Sequence, residues 1–300
     1  MVADSRPAAI GLICALLSAL GFSFKAIFVK TAYRYGVDAE TLLALRMLYA
    51  LPFFIAMAIY AARRAERALN ARDWRDLLLM GFFGYYASSY LDFLGLQYIS
   101  AALERMVLFT YPAIVVLLLA WQRRQRPGRA VLGALALSYA GVALAVLHDL
   151  RLGGDQLALG VMLVFGAAVG FALYMVRCAD SVQRIGTLRL AAWATGSAAV
   201  MIMLQFLLMR PLSTLPAQPW PVQACALAMA VFSTVLPIWL GAVAMRRLGA
   251  DRVAIVSSLG PVLTVLLAWL VLGESLSATM LVGTVLVVLG VRRIARQPAR

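Results

Sequence analysis

The sequence predicts an all-α integral membrane protein of ten transmembrane helices, arranged as two inverted five-helix repeats. Three observations predict it. Of the 300 residues, 64% are hydrophobic and only 13% charged, with a mean hydropathy of +0.90; about a quarter of a soluble domain would be charged. Apolar stretches of about 20 residues, each long enough to cross roughly 30 Å of hydrocarbon, recur along the whole chain. The chain also matches itself at one fixed offset.

Cutting the sequence at its charge and Pro/Gly clusters gives candidate spans at 8–29, 40–60, 76–99, 101–121, 130–147, 157–176, 188–209, 222–245, 252–272 and 277–292. The first, with Arg6 ahead of an apolar run, has the outline of a signal peptide. Its counterpart in mid-chain argues that it stays as a helix. Only Ile99-Ser100 divides the third span from the fourth, but one undivided helix of about 45 residues would overshoot a bilayer.

Arginine placement orients these spans. The basic connections follow spans 2 (Arg63, Arg64, Arg67, Arg72, Arg75), 4 (Arg123, Arg124, Arg126, Arg129), 6 (Arg177, Arg184, Arg189) and 8 (Arg246, Arg247, Arg252). The tail adds Arg292, Arg293, Arg296 and Arg300, whereas the other connections carry only Lys30, Arg34, Arg151 and Arg210. The positive-inside rule then places both termini in the cytoplasm, as an even number of spans requires. The net charge of +14 is accounted for by topology, so no nucleic-acid partner is expected. Cys14, Cys178 and Cys225 lie in or beside spans without metal-ligand spacing and read as packing residues. With His148 the only histidine, no metal or cofactor is expected.

At an offset of 149, Gly11 meets Gly160, Gly21-Phe22 meets Gly170-Phe171, and Phe83 meets Phe232. Ala101 falls on Ala250, Pro112 on Pro261, and Gly141-Val142 on Gly290-Val291. The halves are therefore 1–150 and 151–300, with five spans each. Five is odd, so the second half begins on the opposite side of the membrane. Inverted repeats of this kind underlie secondary transporters, whose halves rock about a site near the midplane. In the same register Glu274, in LGESLSATMLVGTVLVVLG, falls on Gln125 and marks the outer turn of a repeated helical hairpin.

With these residues in view, the chain resembles the EamA-type transporters of the drug/metabolite transporter superfamily over nearly its full length. Pro261 and the LLAWLVLGESLSATMLVGTVLVVLG beyond it are similar to that family's Pro…LGE…G…G hairpin. Lys30 and Arg46 are spaced as in its first hairpin, and Pro112 matches as well; the Gly-Glu pair is missing after Trp121. The resemblance implies helices around a central cavity, a structural pairing role for Arg46, and transport, usually export, of small metabolites such as amino acids.

Ionisable groups inside spans are functional candidates by default. Here they are Lys25, Arg46, Asp92, Glu104 and Arg105, all in the first half and toward the outer leaflet. Snorkelling is the competing explanation for Lys25 and Arg105. Tyr85, Ser88, Ser89 and Asp92 follow i, i+3, i+4, i+7 and form one polar stripe, facing either a cavity or a neighbouring helix. Tyr174 and Trp239 complete the candidate substrate-binding set as aromatic walls. Pro112, Pro237 and Pro261 are candidate kink or gating positions, because breaks in matched spans point to a transport site. Lys25 or Arg46 could take a substrate carboxylate, and Asp92 or Glu104 an ammonium group.

The expected partners are a small-molecule substrate, the lipid bilayer and protons as candidate coupling ions, with facilitated diffusion as the alternative. No GxxxxGK[ST] motif suggests direct ATP use. Gly133, Ser138, Gly141, Gly283 and Gly290 favour close packing within the chain over dimerisation, giving a monomer or weak homodimer in the inner membrane. No catalytic constellation is evident, so an enzyme is not expected. The alternative to a carrier is a membrane-embedded sensor or enzyme without transport.

Overall fold

In the computed structural model, residues 6–65, 67–124, 128–151 and 156–295 are described, and all their regular secondary structure is helical. Gln125, Arg126, Arg296 and Arg300 lie outside the described residues, as do the side chains of Arg6, His148 and Arg151. The first half comprises α1 (Arg6–Tyr33), α2 (Ala39–Arg63), α3 (Ala71–Met80), α4 (Ser88–Gly95), α5 (Ala101–Leu108), α6 (Tyr111–Gln122) and α7 (Arg129–Arg151). The second comprises α8 (Leu157–Ile185), α9 (Thr187–Met209), α10 (Trp220–Ala230), α11 (Leu236–Leu248), α12 (Ala250–Ser257), α13 (Gly260–Leu267) and α14 (Ala278–Ala295). Wider π turns join α3 to α4 (Gly81–Ala87) and α10 to α11 (Val231–Val235), and a third, Ala268–Leu272, extends α13.

Seven helical stretches among the described residues are long and apolar enough to cross a membrane. They are Ala9–Tyr33, Ala39–Arg63, Ala101–Gln122, Leu157–Cys178, Thr187–Met209, Trp220–Leu248 and Ile255–Leu272; Val131–Leu147 in α7 is a shorter apolar helix. The chain is a multi-pass helical membrane protein. The expected division at Ile99-Ser100 is present. α4 ends at Gly95, and Ser100 caps α5 by accepting the Leu103 N–H at 3.0 Å. Asp38 caps α2 through Thr41 N at 2.7 Å, and Asn70 and Asp73 close a reciprocal capping box on α3. Each cap supplies a partner to one of the N–H groups that a helix start leaves unused.

Packing follows the 149-residue register. A Cβ placed on Gly21 would lie 2.5 Å from the Phe232 carbonyl oxygen and 2.5 Å from Pro237. On Gly170 it would lie 2.9 Å from the Phe83 carbonyl oxygen and 3.7 Å from Ser88. These are the same two contacts with the halves exchanged. Gly11 against Leu248 and Gly160 against Ile99 form another exchanged pair. So do Gly141 against Val287 and Gly290 against Ser138, which press α7 onto α14. Small residues recur at these points because helix backbones meet there. Gly133, expected to join them, has nothing within 4 Å of its Cβ position.

The breaks repeat too. α5 gives way to α6 at Phe109-Thr110, and α12 to α13 at Ser258-Leu259. Pro112 and Pro261 are each the second residue of the following helix, where the missing N–H costs no intrahelical bond. Pro237 likewise occupies the second position of α11, directly after a π turn. Its first-half counterpart Ser88 also follows a π turn, so the distortion belongs to the repeat and does not need the proline.

Candidate functional site

The ionisable residues expected in the outer leaflet come together. Lys25 Nζ on α1 reaches Asp92 Oδ2 on α4 at 2.6 Å and Glu104 Oε1 on α5 at 3.1 Å. Its side chain is only 14% exposed, so Lys25 is internally paired and does not snorkel. The second oxygens of both acids, Asp92 Oδ1 and Glu104 Oε2, are buried without a hydrogen-bond donor among the described residues. Lys25 thus joins three helices, its one ammonium shared between two carboxylates in a low-dielectric setting.

Arg46, on α2, is buried beside this group. Its Nε donates to Thr234 Oγ1 at 2.9 Å, its guanidinium carbon lies 5.5 Å from the Phe93 ring centroid, and Nη1 has no partner among the described residues. Arg46 thus meets a second-half hydroxyl and an aromatic face. Thr234 lies in the π turn between α10 and α11 and donates to the Met229 carbonyl at 2.9 Å. Arg105 packs against Gly260 at the start of α13, and its buried Nε has no partner among the described residues. The cluster thus meets the second half at a π turn and at a helix break.

The polar stripe on the third span does not act as one unit. Asp92 turns to Lys25, while Tyr85 packs edge-on against Tyr174 with the two hydroxyls 3.3 Å apart. Ser88 donates to the Ala167 carbonyl at 2.9 Å, which occupies its hydroxyl in helix packing. Ser89 is half-buried, and Trp239 is 50% exposed on α11. The Tyr174 ring also meets Phe171, which in turn meets Tyr111 just before Pro112. An aromatic row therefore runs from the α5–α6 break to Tyr85.

Two polar ties at the ends of the helices went unrecognised in the sequence. At one end Glu274 Oε1 accepts the Ala101 N–H at 2.8 Å and Oε2 accepts the Ala102 N–H at 3.2 Å. The glutamate of the Gly-Glu pair thus caps α5 from the other half of the chain, and Asp149 Oδ2 adds a bond from Ser100 N at 3.1 Å. Gly273, at φ 72°, supplies the left-handed residue that turns the chain into position. Arg34 donates to the Leu272 carbonyl nearby, beside a cavity of about 330 Å³ lined by Lys30, Tyr33, Gln97 and Glu274 among others.

At the opposite end Arg184, on α8, donates to Asp73 at 2.8 Å and to Asp76 at 2.5 Å. Arg67 bonds Asp73 at 2.8 Å and the Arg184 carbonyl at 3.1 Å. The hydrogen bond from Arg67 holds the Asp73 carboxyl well below the usual carboxylate range, with the Asn70 N–H and Arg184 adding to it. Asp73 and Asp76 in turn push the Arg184 guanidinium above its ordinary value. The N-x-x-D spacing from Asn70 to Asp73 is the one sequence signal that points to this network; the arginines read only as topology signals.

A helical membrane protein with two exchanged copies of one packing pattern, broken helices in matched places and a buried ionic cluster belongs to the class of repeat-built membrane transporters. The chain belongs to the EamA-like transporter family, whose model matches residues 9–147 and again 158–296. The two matches start at 9 and 158, the same 149-residue offset that the glycines and prolines follow. The chain is 30% identical to the uncharacterized transporter YcbK of Bacillus subtilis (strain 168), covering 93% of this chain and 90% of that one. It is 26% identical to the uncharacterized transporter sll1319 of Synechocystis sp., with 92% and 90% covered. It is 25% identical to the uncharacterized inner membrane transporter YicL of Salmonella typhimurium (strain LT2), with 88% and 87% covered. A solved structure described as "Crystal structure of protein" superposes with a TM-score of 0.63 at 20% identity, covering 94% of this chain and 95% of that chain, and shares the fold.

Proposed function

We propose that this membrane transporter is a secondary carrier that exports a small amphipathic metabolite, of the amino-acid kind, by alternating access. On this reading residues 1–150 and 151–300 are inverted five-helix repeats, ten spans in all, set around a central path in the inner membrane with both termini cytoplasmic. The alternating arginine-rich connections support that orientation, and the exchanged glycine contacts support the two-fold relation of the halves.

One observation carries the proposal: among the described residues, four buried polar atoms of one cluster lack partners, where the first half meets the π turn and helix break of the second. They are Asp92 Oδ1, Glu104 Oε2, Arg46 Nη1 and Arg105 Nε. Such groups are costly unless something binds them. Because Lys25 is already shared by two acids, a substrate carboxylate is assigned to Arg46 and Arg105, and a donor group to Asp92 and Glu104. Tyr85 and Tyr174 belong to the aromatic wall of the path; Ser88, Ser89 and Trp239 are secondary candidates. Protons are the candidate coupling ion, carried on the same two acids.

Alternating access needs contacts between the halves that form at one end while those at the other release. The Arg184–Asp73–Asp76 network is suited to the cytoplasmic end, and the Glu274 cap with the Arg34–Leu272 bond to the outer end. The test is uptake of labelled metabolites into liposomes holding the purified protein, with and without a pH gradient. Saturable flux of a compound is expected. Absence of flux for every class of compound, with and without the gradient, would reject the carrier and favour a sensor or enzyme.

A further inference from the structure

The cavity at the Glu274 end shares no lining residue with the Lys25 cluster. Its volume of about 330 Å³ lies within the range of small-molecule sites, roughly 300–1,000 Å³. Its walls come from both halves: Lys30 and Tyr33 on α1 with Arg34 just after it, Gln97 beyond α4, and the Leu272–Glu274 turn beyond α13. The polar groups on these walls are filled on the acceptor side and open on the donor side. Glu274 gives its two oxygens to the Ala101 and Ala102 N–H groups, so the start of α5 takes up its charge. Tyr33 donates its hydroxyl to the Phe93 carbonyl at 2.7 Å. Lys30, by contrast, makes no hydrogen bond or salt bridge among the described residues, although the charges of Glu274 and Asp149 act on it and place its ammonium on their side. Arg34 spends Nη2 on the Leu272 carbonyl at 2.8 Å, and the exposed Gln97 side chain has no partner among the described residues.

We infer that this cavity is a binding site for the carboxylate of a small solute, held by Lys30 and Arg34 with Gln97 at the rim. Net charge does not drive it, since Lys30, Arg34 and Arg210 stand among Glu274, Asp149, Asp38 and Glu40. Each of those acids already accepts a hydrogen bond or ion pair: Asp149 from Ser100 N, Asp38 from Thr41 N and Arg210, and Glu40 from Tyr90. What is left over on the cavity wall is donors. A half-buried ammonium without a partner is costly, and a carboxylate is the acceptor that an ammonium and a guanidinium share most strongly. A carboxylate there joins α1 to the Leu272–Glu274 turn, and so adds a second tie between the halves beside the Arg34–Leu272 bond. Binding at this place is read without flux, so it stands or falls apart from the transport mechanism.

The test is thermal unfolding of the full-length protein in a neutral detergent, titrated with sodium acetate at constant ionic strength and compared with sodium chloride and methylammonium chloride. Acetate is expected to raise the melting temperature saturably, as a ligand of the folded state does. Lys30→Gln should raise the half-saturating acetate concentration about tenfold, the scale of one charged hydrogen bond. Arg34→Gln, on an exposed residue, should raise it about threefold or more and carries the comparison if Lys30→Gln does not fold. Arg247→Gln, on an exposed residue of α11 away from the cavity, should leave it unchanged. Equal stabilisation by chloride, or stabilisation by methylammonium alone, would overturn the carboxylate assignment. So would an acetate response that is the same in Lys30→Gln, Arg34→Gln and the parent. Protection by added phosphatidylglycerol with none from acetate would give the cavity to a lipid headgroup and overturn the soluble carboxylate.

Discussion

Replacing Glu274 separates a structural glutamate from a transport glutamate. Its two oxygens take the Ala101 and Ala102 N–H groups at 2.8 and 3.2 Å, at the start of α5 where Ser100 and Asp149 also assist. Removing a good cap costs about 0.5–2 kcal/mol, and loss of a negative charge at a helix N-terminus about 0.3–1 kcal/mol. Glu274→Ala should therefore destabilise by about 1–2 kcal/mol, the two contributions overlapping because they describe the same contact. Glu274→Gln keeps one acceptor oxygen and should cost roughly half of that. At about 2–4 °C per kcal/mol for a large domain, the alanine variant should melt a few degrees below the parent in detergent. The glutamine variant should fall between them and transport at close to the parental rate. An unchanged melting temperature in Glu274→Ala would refute the cap, and loss of transport in a thermally normal Glu274→Gln would make the residue part of the transport machinery.

Two further outcomes follow from packing and charge. Gly21→Ala should cost about 1–3 kcal/mol of overpacking, since its Cβ would press on the Phe232 carbonyl at 2.5 Å. Gly170→Ala, with 2.9 Å to Phe83, should cost less, and Gly133→Ala, in open space, almost nothing; melting temperatures rank the three. At the Arg184–Asp73–Asp76 network, Asp73 is held below its ordinary range, so its contribution is present above the unfolded value near pH 4 and is lost only as pH falls through the lower folded value. Arg184→Ala should accordingly lower stability at neutral pH, and the gap to the parent should narrow in strong acid. A gap independent of pH would assign Arg184 to packing instead.

Much of the fold was legible in the sequence because backbone contact leaves a trace in residue type. Gly21, Gly170, Gly141 and Gly290 cannot carry a side chain where helices touch, so the register of the repeat survived as matched glycines. Pro112 and Pro261 likewise marked the starts of α6 and α13. The π turns left no such trace: Gly81–Ala87 contains no proline, and its distortion appears only once α3 and α4 are packed. The site was half legible. The cost of burying charge singled out Lys25, Asp92, Glu104, Arg46 and Arg105, but their pairing depends on helices up to 79 positions apart meeting at one point. Helical spacing alone aligned Ser88 with Asp92, whereas the tertiary contacts send them to different neighbours. The contacts of Arg184 and Glu274 escaped the sequence for the same reason, since each acts on the half of the chain that it does not belong to.

The most direct test of a buried carrier site is the flux of one saturably transported compound in parent and Asp92→Asn liposomes, at matched protein content and melting temperature. Asparagine keeps the shape but removes one of the two charges on Lys25, and loss of at least tenfold in flux is expected, the scale of a charged hydrogen bond. Parental flux from a correctly folded Asp92→Asn protein would contradict a transport role for the Lys25–Asp92–Glu104 cluster and move the path to the broken helices around Pro112 and Pro261.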